Sequence, residues 1–547
     1  MAKQTGISRR MFMGLTVAGA GAVAAGAAGC TPTATEPGAG SGTGAGTEGT
    51  ASANCEQDSI WQLDPIGEPT ETRSADVVVV GAGGTGLAAA IQAKQLGLDV
   101  LVLEKMGATG GSFICTEGMF AVESHWQEER GVTTTVDEAV IRVMDYHHWI
   151  PDIDLYRTYF SQSAETIKWC EDLGADFTDL LVIGDSIVCW HVYHAEPGES
   201  PGTGFARNMT KAAENLAIEI KLETNVKKVL MEDGKVAGVL AESGDGTVLK
   251  VEAPVVILGA GGYGQNETLV HELSKIKGDP MELGTPGRTG DGLKMGLDAG
   301  GVLCDFPGTM PYAGPCVKGA TWTSLAYSVS LQPKLWINQD CQRFVNEDMF
   351  SYNFAYAGLA VKNHEKVFVI LTQDDLDRYE TVGPDITVFT FCVQGTPMTG
   401  LKDQLSDIQN ANGSILVADT PEDLAAQTGL DPVALAETIN RYNGYCASGH
   451  DPEFSKPAEF LTPLNGPFYA LECGDASFST VGGLKVNSSA QVLKADGEPV
   501  PGLYAGGCDA GGLYADSYDV GITNGSQAGW AINSGRLAAK HAATYIG

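Results

Sequence analysis

The chain contains no C-x-x-C pair although it carries twelve cysteines, so neither an iron–sulfur ligand run nor a C-x-x-C-H haem attachment is written in it. The cysteines are scattered singly and read mostly as buried thiols, with disulfides or ligands gathered from distant positions as the alternative. Positive charge is also scarce. Against 68 acidic residues stand 34 basic ones, a formal net charge of −34, which repels nucleic acid and bare anionic lipid from the folded body. Beyond residue 30 no apolar run approaches the roughly twenty residues that cross a bilayer, so no further membrane span is predicted. No metal-ligand spacing appears either. His147 and His148 are adjacent, face different sides of a predicted helix and cannot share one ion, which leaves them a surface or packing role.

What is present begins with a targeting segment over residues 1–30. Lys3, Arg9 and Arg10 precede a run of small apolar residues, and Ser8-Arg9-Arg10-Met11-Phe12-Met13 has the pattern of a twin-arginine export signal. Two arginines ahead of a general secretion signal are the alternative. Ala27-Ala28-Gly29-Cys30 resembles a lipobox, with an ordinary small-residue cleavage site as the other reading. Residues 31–73 are expected to form a Gly/Ser/Thr-rich tether, poorest in apolar mass up to about Asn54. Together these segments predict export to the outer face of the cytoplasmic membrane, with a lipid anchor at Cys30 as the only membrane contact.

The body is organised around residues 76–104. Four valines follow Asp76, as a strand buried on both faces requires, and Gly81, Gly83 and Gly86 then satisfy G-x-G-x-x-G. The first glycine allows the turn, the second lets backbone approach a pyrophosphate, and the third lets the next helix lie against the strand. A helix through Leu87 and a second strand from Val100 lead to Glu104, placed to hold a ribose hydroxyl pair. The unit is βαβ with a diphosphate at the helix N-terminus.

Further along, residues 134–174 show the periodicity of two helices, 222–242 read as a hairpin turning at Asp233-Gly234, and residues 254–264 repeat a buried strand running into glycines. A glycine turn opening a short helix follows at 289–301.

Taken with VVILGAGGYG, TGDGLKMG, QRFVNE, VGGL and GLYAGG, these pieces resemble the flavoprotein superfamily of fumarate reductases and 3-ketosteroid dehydrogenases over nearly everything from about residue 74. The resemblance implies an α/β protein with a Rossmann-like FAD-binding domain, residues 74–305 and 475–547, and an inserted α+β cap domain, residues 306–474. It implies FAD bound non-covalently by Gly81, Ala82, Gly83, Gly84, Thr85, Gly86, Glu104, Lys105, Thr109, Gly110, Gly111, Ser112, Val226, Ala260, Gly261, Asp291, Gly507 and Thr523. Substrate would sit between flavin and cap.

Fumarate-reducing members clamp carboxylates with arginines and histidines. At the corresponding positions this chain has Asp305-Phe306-Pro307-Gly308-Thr309 without histidine, Ser351 for the proton-donating arginine, Ser479 for a histidine, and Tyr518 for the C-terminal arginine. Tyr518, paired with a backbone N–H at Gly521 or Ile522, resembles the ketone-binding pair of ketosteroid dehydrogenases. Tyr352, one residue beyond the family register, resembles their proton-exchanging tyrosine; aromatic packing is its other reading. Tyr514 and Asp516 are neighbours able to substitute for Tyr518, Cys115 reads as a small buried hydrophobe, and Arg343 with Glu347 reads as a structural ion pair or a turn.

The expected activity is reduction of a C=C bond conjugated to a carbonyl in an uncharged, steroid-like or polyphenolic molecule, with hydride from the flavin and a proton from a tyrosine. Reduction is preferred because the thiol-rich chain suggests an anaerobic host. Three alternatives stand beside it: a urocanate-, cinnamate- or fumarate-type reductase drawing on Arg288 or Arg378, a ketosteroid dehydrogenase running oxidatively, and a flavin-binding protein with a decayed site. Without a haem motif or a covalent flavin segment, electrons are expected from a separate membrane-linked cytochrome or flavoprotein.

Overall fold

The computed structural model describes residues 59–547 apart from 184, 185, 197 and 198; the export signal, Cys30 and the tether up to residue 58 lie outside the described residues. The tether was expected to reach residue 73, and here the structure differs. Ile60 and Trp61 lie against an apolar cluster with Leu269, Leu293 and Tyr312. Glu71–Ser74 forms a strand paired in parallel with Val248–Glu252, and Arg73 bridges to Glu219 at 2.6 Å. Enough apolar surface and backbone pairing lie between 60 and 74 to hold this stretch on the fold.

The central sheet has six strands in the order Gln491–Leu493, Pro499–Ala505, Val255–Leu258, Val77–Val80, Val100–Leu103 and Glu219–Lys221. All neighbours are parallel except the first pair. Val77–Val80 sits at its middle and every one of its valines is buried, which is why the run does not alternate with polar residues. Helix Gly84–Gln95 leaves this strand and lies along the C-terminal helix Ser526–Ile546. The two backbones come so close that a Cβ on Gly535 would stand 2.3 Å from the Thr85 carbonyl.

The hairpin turning at Asp233-Gly234 spans Thr224–Glu232 and Lys235–Ser243 and extends into a four-stranded sheet. The two helices read from periodicity are Val136–Tyr146 and Ile153–Asp172. A second large sheet is built on the ten-residue strand Phe468–Ser477, which pairs with Pro280–Glu282, Tyr312–Val317, Val367–Thr372 and Ile415–Ala418. Sheets of mixed direction with helices about them give the expected α/β class.

Arg343 is buried and donates two hydrogen bonds to Glu347 and two to Asp451, the structural ion pair expected of that motif. His147 is wholly buried among the rings of Tyr146, Tyr156 and Tyr514, with no hydrogen-bond partner on either ring nitrogen. It is a packing histidine, and burial pushes its pKa down to about 3. All ten described cysteines are free thiols, seven of them buried. Among the described residues no helix is long and apolar enough to cross a membrane.

Candidate active site

A cavity of about 1550 Å³, mouth included, runs from the glycine turn of the central sheet to the edge of the second large sheet. At the first end, Gly81 has φ +97°, and a Cβ there would stand 2.3 Å from the Gly259 carbonyl; a Cβ on Gly86 would stand 1.8 Å from the Gly81 carbonyl. Those two glycines are required by the protein's own backbone. Gly83 differs, because a Cβ there meets nothing nearer than the Gly110 carbonyl at 3.8 Å. Its open face looks into the cavity, where a ligand's backbone-hugging group belongs.

Helix Gly84–Gln95 begins at Gly83 with no side-chain cap. Its first intrahelical bond runs from the Leu87 N–H to the Gly83 carbonyl at 2.9 Å, so the N–H groups of Gly84 and Thr85, both in the cavity lining, are left for an anion at the positive end of the helix dipole. Glu104 accepts from the N–H of Ala82 at 2.7 Å and of Met106 at 2.8 Å, one on each oxygen. A carboxylate has about four acceptor sites, so Glu104 steadies the turn and keeps capacity for hydroxyls. Lys105 Nζ donates to Thr289 Oγ1 and Asp291 Oδ2 at 2.9 and 2.7 Å.

Of the residues expected at a cofactor, Gly81, Gly83, Gly84, Thr85, Glu104, Lys105, Gly111, Ser112, Val226, Ala260, Gly261 and Asp291 line the cavity. Ala82, Gly86, Thr109, Gly110, Gly507 and Thr523 stand behind the lining. Thr109 is turned to Thr210 at 2.8 Å, the Gly110 N–H bonds the Ala82 carbonyl, the Gly507 N–H bonds Ser534, and Thr523 is fully buried. They shape the wall from outside.

Sequence reasoning missed Asp509. Its buried carboxyl accepts from the N–H groups of Ala260 and Gly262 at 2.5 and 3.0 Å and so fixes the glycine turn after Val255–Leu258. Burial raises its pKa to about 6 despite those bonds. A buried acid beside GLYAGG was the available signal.

At the far end the wall is aromatic: Trp322, Phe354, Phe389, Phe478 and Tyr518. Trp322 stacks edge-on against Phe478 at 5.2 Å, and Phe354 lies 6.2 Å from Tyr518. Tyr518 is buried, and its phenol oxygen accepts from the Gln527 N–H at 3.4 Å. Burial, with Asp519 beside it, pushes its pKa far up, so it keeps its proton. The backbone partner expected at Ile522 is not available, because that N–H donates to the Asp519 carbonyl at 2.8 Å. Gly521 also lies outside the lining, with Asn353 against it.

Ser479 lines the cavity and contacts Cys508 Sγ at 3.0 Å. Ser351 does not line it; its hydroxyl donates to the Asp348 carbonyl and carboxylate. Tyr352 is 41% exposed and also outside the lining. A single turn over Met349–Ser351, followed by Asn353 capping helix Phe354–Val361, turns Phe354 inward and leaves Tyr352 on the outer side. Among the described lining residues the cations are Lys105 and Arg288, and both are paired. Arg378 pairs with Asp385 away from the cavity.

Comparison with known proteins agrees with this geometry. A sequence-family profile described as "FAD binding domain" matches residues 76–521. The vinyl phenol reductase of Lactiplantibacillus plantarum is 33% identical over 485 residues, covering 86% of this chain and 97% of that protein. The open conformation of a flavocytochrome c3 fumarate reductase superposes with a TM-score of 0.67 at 26% identity, covering 87% of this chain and 79% of the other. In fold, the chain also matches 3-ketosteroid delta1-dehydrogenase from Sterolibacterium denitrificans, with a TM-score of 0.70 at 21% identity over 86% of this chain and all of that one. The glycine turn, the uncapped helix end and Glu104 fit the diphosphate and ribose of FAD.

Proposed function

The chain belongs to the FAD-binding family of fumarate-reductase-like flavoproteins, and from that premise we propose that it reduces a C=C bond in an uncharged substrate, an alkene conjugated to a carbonyl or to a phenol ring. It is an FAD-dependent oxidoreductase acting on C=C bonds. The observation that carries the substrate class is the cavity's charge. Its aromatic end has five rings, and the guanidinium nearest them, Arg288, is 3% exposed and spent on Glu282, Thr285 and Phe478. A carboxylate desolvated there would meet no free cation among the described lining residues, at a cost of several kcal/mol. The 33% identical relative is likewise named for a substrate without a carboxylate.

FAD, when bound and reduced, supplies the hydride. The protein's part is to bind and aim. The aromatic rings take an apolar, flat molecule and exclude water. Tyr518, held neutral, donates a hydrogen bond to the substrate oxygen on which negative charge grows. We further propose, from the N-terminal sequence, export by the twin-arginine route with an anchor at Cys30, and a separate membrane-linked cytochrome or flavoprotein as electron donor.

The test is anaerobic reoxidation of the viologen-reduced holoprotein. Reoxidation by vinyl phenol or by a steroid enone, but not by fumarate, urocanate or cinnamate, is the expected outcome. Reoxidation by the acids overturns the charge argument, and reoxidation by none points to a decayed site.

A further inference from the structure

Tyr352 lies outside the cavity and Tyr518 keeps its proton, so the carbon opposite the hydride needs another acid. Glu117 lines the same cavity. Its backbone is fixed where the chain enters strand Gly118–Phe120: its carbonyl accepts from the Tyr193 N–H at 3.0 Å, and Gly118 lies so close to Trp190–Tyr193 that a Cβ would stand 2.4 Å from the His191 carbonyl. The half-buried carboxyl accepts from Thr390 Oγ1 at 2.7 Å. Thr390 is exposed and sits between Phe389 and Phe391, in a tight loop closed by two backbone bonds between Val388 and Cys392. Phe389, with φ +48°, is itself part of the aromatic wall. A carboxyl from the glycine-rich half thus ends beside the substrate wall, one hydroxyl from solvent.

We propose that Glu117 is the acid that protonates the substrate carbon, with Thr390 as its positioning residue. The inference rests on the reading of this cavity as the site of C=C reduction. In the step, the alkene π bond opens as hydride adds to one carbon; the other carbon takes the Glu117 proton as its C–H bond forms and the O–H bond breaks. Glu117 is left as a carboxylate, which accepts the Thr390 hydrogen bond, and a solvent proton restores the acid. Burial holds Glu117 up at about 7, opposed only by Thr390. No charged group contributes to that shift. Among the described residues, the other titratable groups lining the cavity are Cys115 on its own segment, Glu104 and the paired Lys105 and Asp291 at the nucleotide end, Arg288 with Glu282 behind it, and Cys508 and Tyr518 from the C-terminal part. An acid with pKa near the working pH is what general acid catalysis favours, worth about 100-fold or more.

The test uses the holoprotein and whichever alkene the wild type reduces. Glu117→Gln is expected to slow reoxidation by about 100-fold, with flavin content and product affinity unchanged. Infrared difference spectra should show a protonated carboxyl titrating near pH 7 in the wild type and absent from Glu117→Gln. Glu117→Asp should recover part of the rate, and Thr390→Val should move the carboxyl's midpoint upward. A Glu117→Gln rate equal to wild type, or a carboxyl band unchanged in that variant, overturns the proposal. A wild type that reduces no alkene of either class overturns the cavity reading instead.

Discussion

Arg288 Nη2 donates to Glu282 Oε1 at 2.8 Å, with the two side chains 3% and 13% exposed. The same guanidinium donates to the carbonyls of Thr285 and Phe478 at 2.7 and 2.9 Å. One ion pair thereby ties the turn that borders the nucleotide end to the strand edge bearing the aromatic wall, and it takes the guanidinium out of substrate binding.

Removing Glu282 should be costly for that reason. Glu282→Ala leaves a buried, uncompensated guanidinium and is expected to lose about 3–5 kcal/mol of stability. Urea unfolding read by far-UV circular dichroism measures it; a loss below about 1 kcal/mol would mean the pair behaves as an exposed one.

Two glycines of one motif should respond differently. Gly83→Val adds a side chain facing the cavity and should abolish FAD retention while leaving the thermal midpoint of the apoprotein nearly unchanged. Gly86→Ala drives a Cβ into the Gly81 carbonyl and should cost about 3 kcal/mol through strain. Flavin-to-protein absorbance ratios and melting curves separate the two.

The two tyrosines should also diverge. Tyr518→Phe removes a hydrogen-bond donor from the cavity and is expected to lower kcat/KM by about 100-fold with FAD content intact. Tyr352→Phe, at an exposed site outside the lining, should stay within about twofold of wild type.

Acid stability should carry the imprint of Asp451. Its carboxyl is held at about 2, against 3.8 ordinarily, by the Arg343 hydrogen bonds acting against burial, with backbone N–H groups assisting. A folded-state pKa below the unfolded one means the stabilisation is present above about pH 4 and is lost as pH falls toward 2. Asp451→Asn should therefore be less stable than wild type at pH 6, with the gap narrowing between pH 4 and 2 in equilibrium unfolding.

Much of the nucleotide end was legible because its signals are local. A run of valines, glycines at fixed spacing and an acid at the end of the next strand each impose structure within about thirty residues, and Gly81, Gly83, Gly86 and Glu104 lie together as that spacing requires. Tyr352 was not legible in the same way. Its direction depends on a one-turn 3-10 segment and a helix cap, which turn Phe354, two residues on, inward and leave Tyr352 exposed. Residues 59–73 read as spacer by composition, yet the strand Glu71–Ser74 pairs with Val248–Glu252 and Trp61 packs against Leu269, Leu293 and Tyr312, all far along the chain.

The amino-acid sequence by itself determined the βαβ unit, the dinucleotide site and the absence of family carboxylate-binding residues, because backbone turns and residue types are properties of short stretches. Only the tertiary structure decided which side chains share the cavity. Arg288 faces it already paired, and Glu117 meets Thr390 across 273 residues of chain. Burial and hydrogen bonding depend on what folding brings alongside, and no spacing within the chain encodes that.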